Sequence, residues 1–285
     1  MIANLEPGLH PNMSSDVYHS DPAPSPSLSS GVACVLLQQS PLHAWLAHPR
    51  LNPNHQRETD AAFDRGAAAH AYVLENREDT IVVVDAPDWR TKLAKEARDE
   101  ARAAGKQPLL THQLVGVKTM KERLMNYISG TELRDVFESG TPEQSLFWEE
   151  GDTWCRARPD LISADRKICV DYKTTESANP DDFGRQIGRM NYDLQAEWYT
   201  RGLAAVGESV TFVFVVQEVH EPYACSLVAL SNAYREVGAF KAERALNIWR
   251  KCVEEDRWPA YPQHIAYAEP TTWQLTEIES EHRDW

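Results

Sequence analysis

RPDLISADRKICVDYKTT, residues 158–175, reads as the end of one strand, a turn at ADR and a second strand. Alternation along the second strand puts Asp171 and Lys173 on one side of a sheet and turns Tyr172 to the other. A hairpin between the two strands brings Asp160 beside them, so two carboxylates and an ammonium are expected to meet. The structural alternative is a turn aspartate followed by the polar face of an ordinary half-exposed strand, since DxK alone is a common pattern. The preceding PD, the short spacing, the apolar KICV before Asp171 and the polar TT after Lys173 favour the functional reading.

Such a trio suits phosphodiester chemistry. Two hard carboxylates can hold magnesium, which polarises a phosphoryl oxygen and lowers the pKa of a bound water. A lysine beside the metal can orient or deprotonate that water and offset developing charge.

Working outward, QSLFWEE precedes this segment as a further strand, and TWCRARPDLIS is read as one continuous strand whose end opens the segment, with GD as the turn signal between the two. Residues 182–205 have helical composition, and 210–219 and 223–230 form an expected hairpin around Glu221-Pro222. A long helix is expected over about 232–254, with Val237, Phe240, Ile248, Trp249 and Cys252 on one face. Toward the amino terminus, helices are expected over about 112–128, over 89–105 (ending at Gly105) and over 61–75, and a strand over 81–87. SSGVACVLLQQS has the caps of a short helix, ended by Pro41. The organisation expected is an extended arm over 1–27, one α/β domain over 28–262 with a central mixed sheet of about five strands flanked by helices, and an acidic tail over 263–285.

With 285 residues, 42% of them apolar, the chain can bury a sizeable core. It has no apolar run long enough to span a membrane, and MIANLEPGLHPNMSSD lacks the basic and apolar regions of a secretion signal, so a cytoplasmic location is expected. The five cysteines are widely spaced and include no CxxC pair, which argues against a disulfide framework, a zinc knuckle or an iron–sulfur cluster. The net charge of −14 is unusual for a DNA-handling protein. Its distribution softens the objection: Asp88 to Met125 holds nine Lys/Arg against five Asp/Glu, a local balance of +4. A DNA-tracking role for Arg90, Lys92, Lys95, Arg98, Arg102 and Lys106 competes evenly with a solvated helix laced by Glu96, Asp99 and Glu100.

YHSDPAPSPSLSS, QQSPLHAW, FDRGAAAHAYVLE, KLAKEARDEARAAGK, RARPD, VDYKTT, LQAEWYTRGL and WPAY together resemble the exodeoxyribonuclease VIII (RecE) nuclease domain and the lambda-type exonucleases, a branch of the PD-(D/E)XK superfamily. The resemblance runs from about Tyr18 to Tyr261 and implies a restriction-endonuclease-like core. It implies metal binding by Asp160, by Asp171 with the backbone carbonyl of Tyr172, and by His70, with Lys173 serving the attacking water. Gln195 and Tyr199, four residues apart on one helical face, resemble the accompanying QxxxY element and would hold substrate phosphate or a water. Glu143 is a further candidate ligand, and Arg156, Arg158 and Thr174 are candidate phosphate contacts, although the arginines could equally pair with the acidic ligands. The implied cofactor is Mg²⁺ or Mn²⁺, two ions per site. The implied activity is 5′ to 3′ hydrolysis of linear double-stranded DNA, carried out by a ring trimer or tetramer working with a single-strand annealing protein. The alternatives are an endonuclease of the same fold and a catalytically idle DNA-binding module.

Overall fold

The computed structural model describes residues 5–55, 68–74 and 78–276; the first seven residues of the expected 61–75 helix, its last residue and the end of the acidic tail lie outside these. In chain order the elements are β1 (Gly8–His10), α1 (Ser15–His19), β2 (Leu28–Ser29), α2 (Ser30–Gln38), α3 (Pro41–Ala47), helical residues 68–73 (α4), β3 (Ile81–Val84), α5 (Lys92–Ala103), β4 (Gln107–Leu110), α6 (Thr111–Ile128), α7 (Arg134–Ser139), β5 (Thr141–Pro142), β6 (Ser145–Glu150), β7 (Thr153–Ala157), β8 (Leu161–Ile162), β9 (Ile168–Thr175), α8 (Pro180–Met190), α9 (Tyr192–Ala205), β10 (Thr211–Glu218), β11 (Cys225–Val228) and α10 (Asn232–Glu254).

The central sheet has five strands in the order β11-β10-β9-β8-β5. It is mixed: β10 runs parallel to β9 and the other pairs are antiparallel. The expected mixed α/β sheet is therefore present, and the β10–β11 hairpin lies where it was expected. A second sheet, β1-β6-β7-β2, continues the first. Chain β5–β6 and chain β7–β8 form one long antiparallel ribbon that changes sheet at Glu143 and at Arg158-Pro159-Asp160. Glu143 sits at φ 53°, and its N–H donates to the Asp160 carbonyl at 3.0 Å, so this crossing is a pinned bulge. A third pair, β3 with β4, is parallel.

The alternation of β9 assigns its two faces. Val170 and Tyr172 pack with Val73, Met120, Leu124, Ile128 and Val215 on the α4–α6 side. The opposite side carries Phe183, Ile187, Phe214 and Val216 under α8. A larger core joins the second sheet to α2, α9 and α10 through Leu28, Leu36, Trp148, Trp198, Leu203, Leu246 and Trp249.

Several expectations are corrected. Pro41 does not merely end a helix: it occupies the first turn of α3, where its missing N–H and fixed φ suit a helix start. The helix expected over 182–205 is two helices, divided at Asn191, which adopts the left-handed conformation at φ 55°. On α10 the buried face is Gly238, Ala242, Ala245, Leu246, Trp249 and Cys252, whereas Val237 and Phe240 are exposed, because α9 approaches closely along the small residues. The amino-terminal segment, expected as an extended arm, carries the short helix α1; β1 pairs with β6, and Leu5, Tyr18 and Ala23 pack with Phe147 and Trp154. β4 and α7 were not anticipated. The cysteines are free thiols, with Cys155, Cys169 and Cys252 buried.

Candidate metal centre

The β8–β9 ladder pairs Leu161 with Val170, so Asp160 and Asp171 stand at the next rung, where regular pairing stops. The Asp160 carboxylate takes up the backbone N–H of Tyr172 through Oδ2 at 2.7 Å. His70, delivered by α4, donates from Nε2 to the Tyr172 carbonyl at 2.8 Å and lies 3.4 Å from Asp160 Oδ2. Its Nδ1 is 3.8 Å from Glu143 Oε1. His70, Glu143 and Asp160 thus bring one ligand atom each to within 4.8 Å of one another. Glu143 reaches this point because its left-handed φ turns it out of the β5–β6 line.

Asp171 is turned toward α9. Its Oδ2 accepts from Gln195 Nε2 at 2.9 Å, and Lys173 Nζ lies 2.5 Å from Oδ1. Lys173 Nζ also donates to Gln195 Oε1 at 2.9 Å, and Gln195 Nε2 contacts the Tyr199 hydroxyl at 3.0 Å. The QxxxY pair therefore braces the Asp171–Lys173 side from one helix turn. Asp171 Oδ1 is buried, with no hydrogen bond of acceptable geometry among the described residues.

The acids crowd one another. Burial, followed by repulsion from Asp171, raises the Asp160 carboxyl to about 8. Burial opposes a charge on His70, but Asp160 and Glu143 outweigh it and raise the imidazole to about 9. The His70–Asp160 pair therefore retains a proton into the alkaline range. Burial likewise opposes ionisation of Glu143, yet His70 and Arg158 hold its carboxyl below the ordinary value. Lys173 is desolvated, and Asp171 and Asp160 more than compensate, so its pKa rises and it stays an ammonium. A crowded acidic pair, an imidazole, the Tyr172 carbonyl and a second buried carboxylate balanced by Lys173 are a donor set that fits a hard divalent cation.

The phosphate-contact candidates separate. Arg158 donates from Nε to Glu143 Oε2 at 2.7 Å and from its guanidinium to Ser145 Oγ and the Met13 carbonyl. Arg156 is buried and spent on Ser27 and on Asp21, 3.0 Å away, although its Nε has no partner among the described residues. For these two arginines the alternative of pairing with acidic side chains describes the resting contacts, Arg156 choosing Asp21 rather than a candidate ligand. Thr174 shares the Tyr172 face of β9 and is not on the Lys173 side; Thr175 is, and its hydroxyl meets Gln186 of α8 at 3.1 Å. A cavity of about 420 Å³ opens beside Glu143, Arg156, Arg158 and Tyr199, walled by Tyr18 and by Ser30 and Gly31 at the start of α2. Sequence reasoning missed this wall and also missed Tyr192, whose ring underlies Lys173 with Nζ 4.6 Å from its centroid. The signal was available for Tyr192, which precedes Gln195 by three residues and so shares its helical face.

Residues 36–271 match the model of a family described as "PDDEXK-like domain of unknown function (DUF3799)". Among solved structures, the chain is similar to a crystal structure from Eubacterium rectale described as "Putative exonuclease", with a TM-score of 0.62 and 14% identity over 93% of this chain and 98% of that one. A second, SSO0001, aligns with a TM-score of 0.30 and 13% identity over 73% of this chain and 100% of its own. No curated protein matches the chain. No helix among the described residues is long and apolar enough to cross a membrane.

Proposed function

Because the chain belongs to the PDDEXK-like family DUF3799 and its fold is that of the PD-(D/E)XK superfamily, a nuclease superfamily that uses divalent metals, we propose that it is a magnesium-dependent deoxyribonuclease acting as an exonuclease on linear double-stranded DNA, from the 5′ end. The observation that carries the reading is a junction of neighbouring β9 residues: His70, Glu143 and Asp160 gather at the Tyr172 backbone, and Asp171 pairs with Lys173 on either side of it. Binding alone needs no such junction.

In this reading Asp160, Asp171, His70 and the Tyr172 carbonyl hold the cation, and Glu143 adds a carboxylate. Bound Mg²⁺ or Mn²⁺, one ion or two, supplies Lewis acidity toward a phosphoryl oxygen and acidifies water. Lys173, kept protonated, orients the attacking water and offsets charge on the phosphate instead of taking a proton. Gln195 fixes both Asp171 and Lys173, and Tyr199 holds Gln195. The neighbouring cavity receives the sugar–phosphate chain, beside Arg156 and Arg158, whose charges are paired with Asp21 and Glu143. Ring assembly and a single-strand annealing partner, in recombination of the phage type, belong to the same proposal and rest on the resemblance to the RecE branch.

Linear duplexes labelled at the 5′ or the 3′ end, digested beside covalently closed circles and a chelated control, test it. The expected result is early release of the 5′ label, intact circles and no release with chelator. Nicked circles would make the enzyme an endonuclease, and digestion that survives chelation would remove the metal from the account.

A further inference from the structure

Lys173 is held from three directions, and only two are ionic or hydrogen-bonded. Asp171 Oδ1 is 2.5 Å away and Gln195 Oε1 is 2.9 Å away. The third is the face of Tyr192, with Nζ 4.6 Å from the ring centroid, inside the range where a cation is attracted by the ring quadrupole. Tyr192 is the first residue of α9, and its place is fixed twice over. Its ring packs on Phe183 and Phe214, with centroids 5.8 Å from each. Its backbone is set by the left-handed turn at Asn191, and that turn is clamped by Lys241, whose Nζ contacts Asn191 Oδ1 at 2.8 Å and the fully buried Asp193 carboxylate at 2.7 Å.

We propose that Tyr192 is a positioning residue that keeps the Lys173 ammonium at the reacting centre through its ring face. The proposal rests on the nuclease reading and deepens it. When a cation occupies Asp171, it competes for the carboxylate charge that otherwise fixes Lys173. A flexible four-carbon amine that loses its anion would turn toward water. The ring floor and Gln195 then remain to keep it directed at the phosphate, and neither can be drawn away by the metal. The ring acts through Lys173 and does not touch substrate.

Two readouts test this in the wild type, Tyr192→Phe and Tyr192→Leu. In protein carrying ¹³C at the lysine ε position and loaded with Ca²⁺, the Lys173 signal, assigned by its loss in Lys173→Arg, is expected upfield from the ring current in the wild type and in Tyr192→Phe. In Tyr192→Leu it returns to the position of an ordinary lysine. On linear duplex with Mg²⁺, Tyr192→Leu is expected to lose roughly tenfold in kcat. KM and Mn²⁺ affinity stay within about twofold, and Tyr192→Phe recovers most of kcat. An unmoved Lys173 signal in Tyr192→Leu, an unchanged kcat, or a joint collapse of kcat, KM and metal affinity would each overturn the proposal. If the wild type cleaves no DNA, the nuclease reading fails, while the lysine signal still reports whether the ring contact exists.

Discussion

Asp160 shows how much one residue's neighbours decide. Alone after a proline it is a turn aspartate; opposite Asp171 and 3.4 Å from His70 it becomes a carboxyl raised to about 8. The pairing of Asp160 with Asp171 was legible in the sequence because strand alternation and a short hairpin leave little freedom, whereas His70 came only from the family resemblance. Glu143 was harder to rank, since nothing in TPEQSLFW announces a left-handed residue that redirects the side chain. Replacing either Asp160 or Asp171 by Asn keeps shape and removes charge, and is expected to lower kcat by roughly three orders of magnitude, as metal positioning and charge stabilisation fail together. Single-turnover cleavage of linear duplex measures this; a loss below tenfold would show that the carboxylate is not a ligand. Metal binding should also track pH. His70, raised to about 9, and Asp160, raised to about 8, must give up protons to bind a cation. Apparent Mn²⁺ affinity should therefore rise with pH, and below about pH 8 should fall roughly tenfold per unit for each displaced proton. Calorimetric titration in buffers of different ionisation enthalpy counts those protons, and a flat affinity from pH 6.5 to 9 would contradict the assignment.

Elements were read well where periodicity is uniform and poorly where one residue breaks it. β9, β10, α2 and α6 match their sequence expectations, because each has a single uninterrupted pattern. The division of residues 180–205 into α8 and α9 escaped because Asn191 looks like any polar helix residue, and its left-handed turn depends on Lys241, fifty positions away in the chain. That same lysine neutralises Asp193, which has no exposure. Lys241→Met is expected to cost about 3 kcal/mol by leaving a buried carboxylate unpaired. Urea unfolding measures it, and a change below about 0.5 kcal/mol would mean that Asp193 is held elsewhere. The misread face of α10 has the same long-range origin. A Cβ at Gly238 would stand 2.4 Å from the Asp193 carbonyl oxygen, so α9 and α10 touch backbone to backbone there. Gly238→Ala, helix-favouring by itself, should nonetheless destabilise by about 1–3 kcal/mol through forced separation of the helices, as the same unfolding measurement reads.

At the scale of the whole molecule, the amino-terminal segment is tied to the body by a buried polar knot. Asp21 accepts from Ser27 and lies 3.0 Å from Arg156 and 3.3 Å from His48. Burial alone would raise its carboxyl, but His48, Arg156 and Ser27 outweigh this and hold it below the usual range. A depressed folded-state value gives stability that is present above the unfolded carboxyl pKa of about 3.9 and lost as pH falls through the lower folded value. Acid unfolding of wild type should consequently include this loss below about pH 4, and Asp21→Asn should remove that part of the pH dependence while lowering stability by about 3 kcal/mol at neutral pH. An acid limb of unchanged slope in the variant would refute this. Composition foretold none of it, since Pro and Ser in DPAPSPSLSS signal only a non-helical chain. The net charge of −14 was equally silent about the site, where Glu143, Asp160 and Asp171 gather around one strand.

The most direct test of that centre is an anomalous difference map from a crystal soaked in Mn²⁺. The account predicts a peak bonded to His70 Nε2, the Asp160 carboxylate and the Tyr172 carbonyl, with Asp171 turned toward it at Oδ1. A metal-saturated, cleaving protein whose peak lies elsewhere, or which shows none at β9, would contradict it.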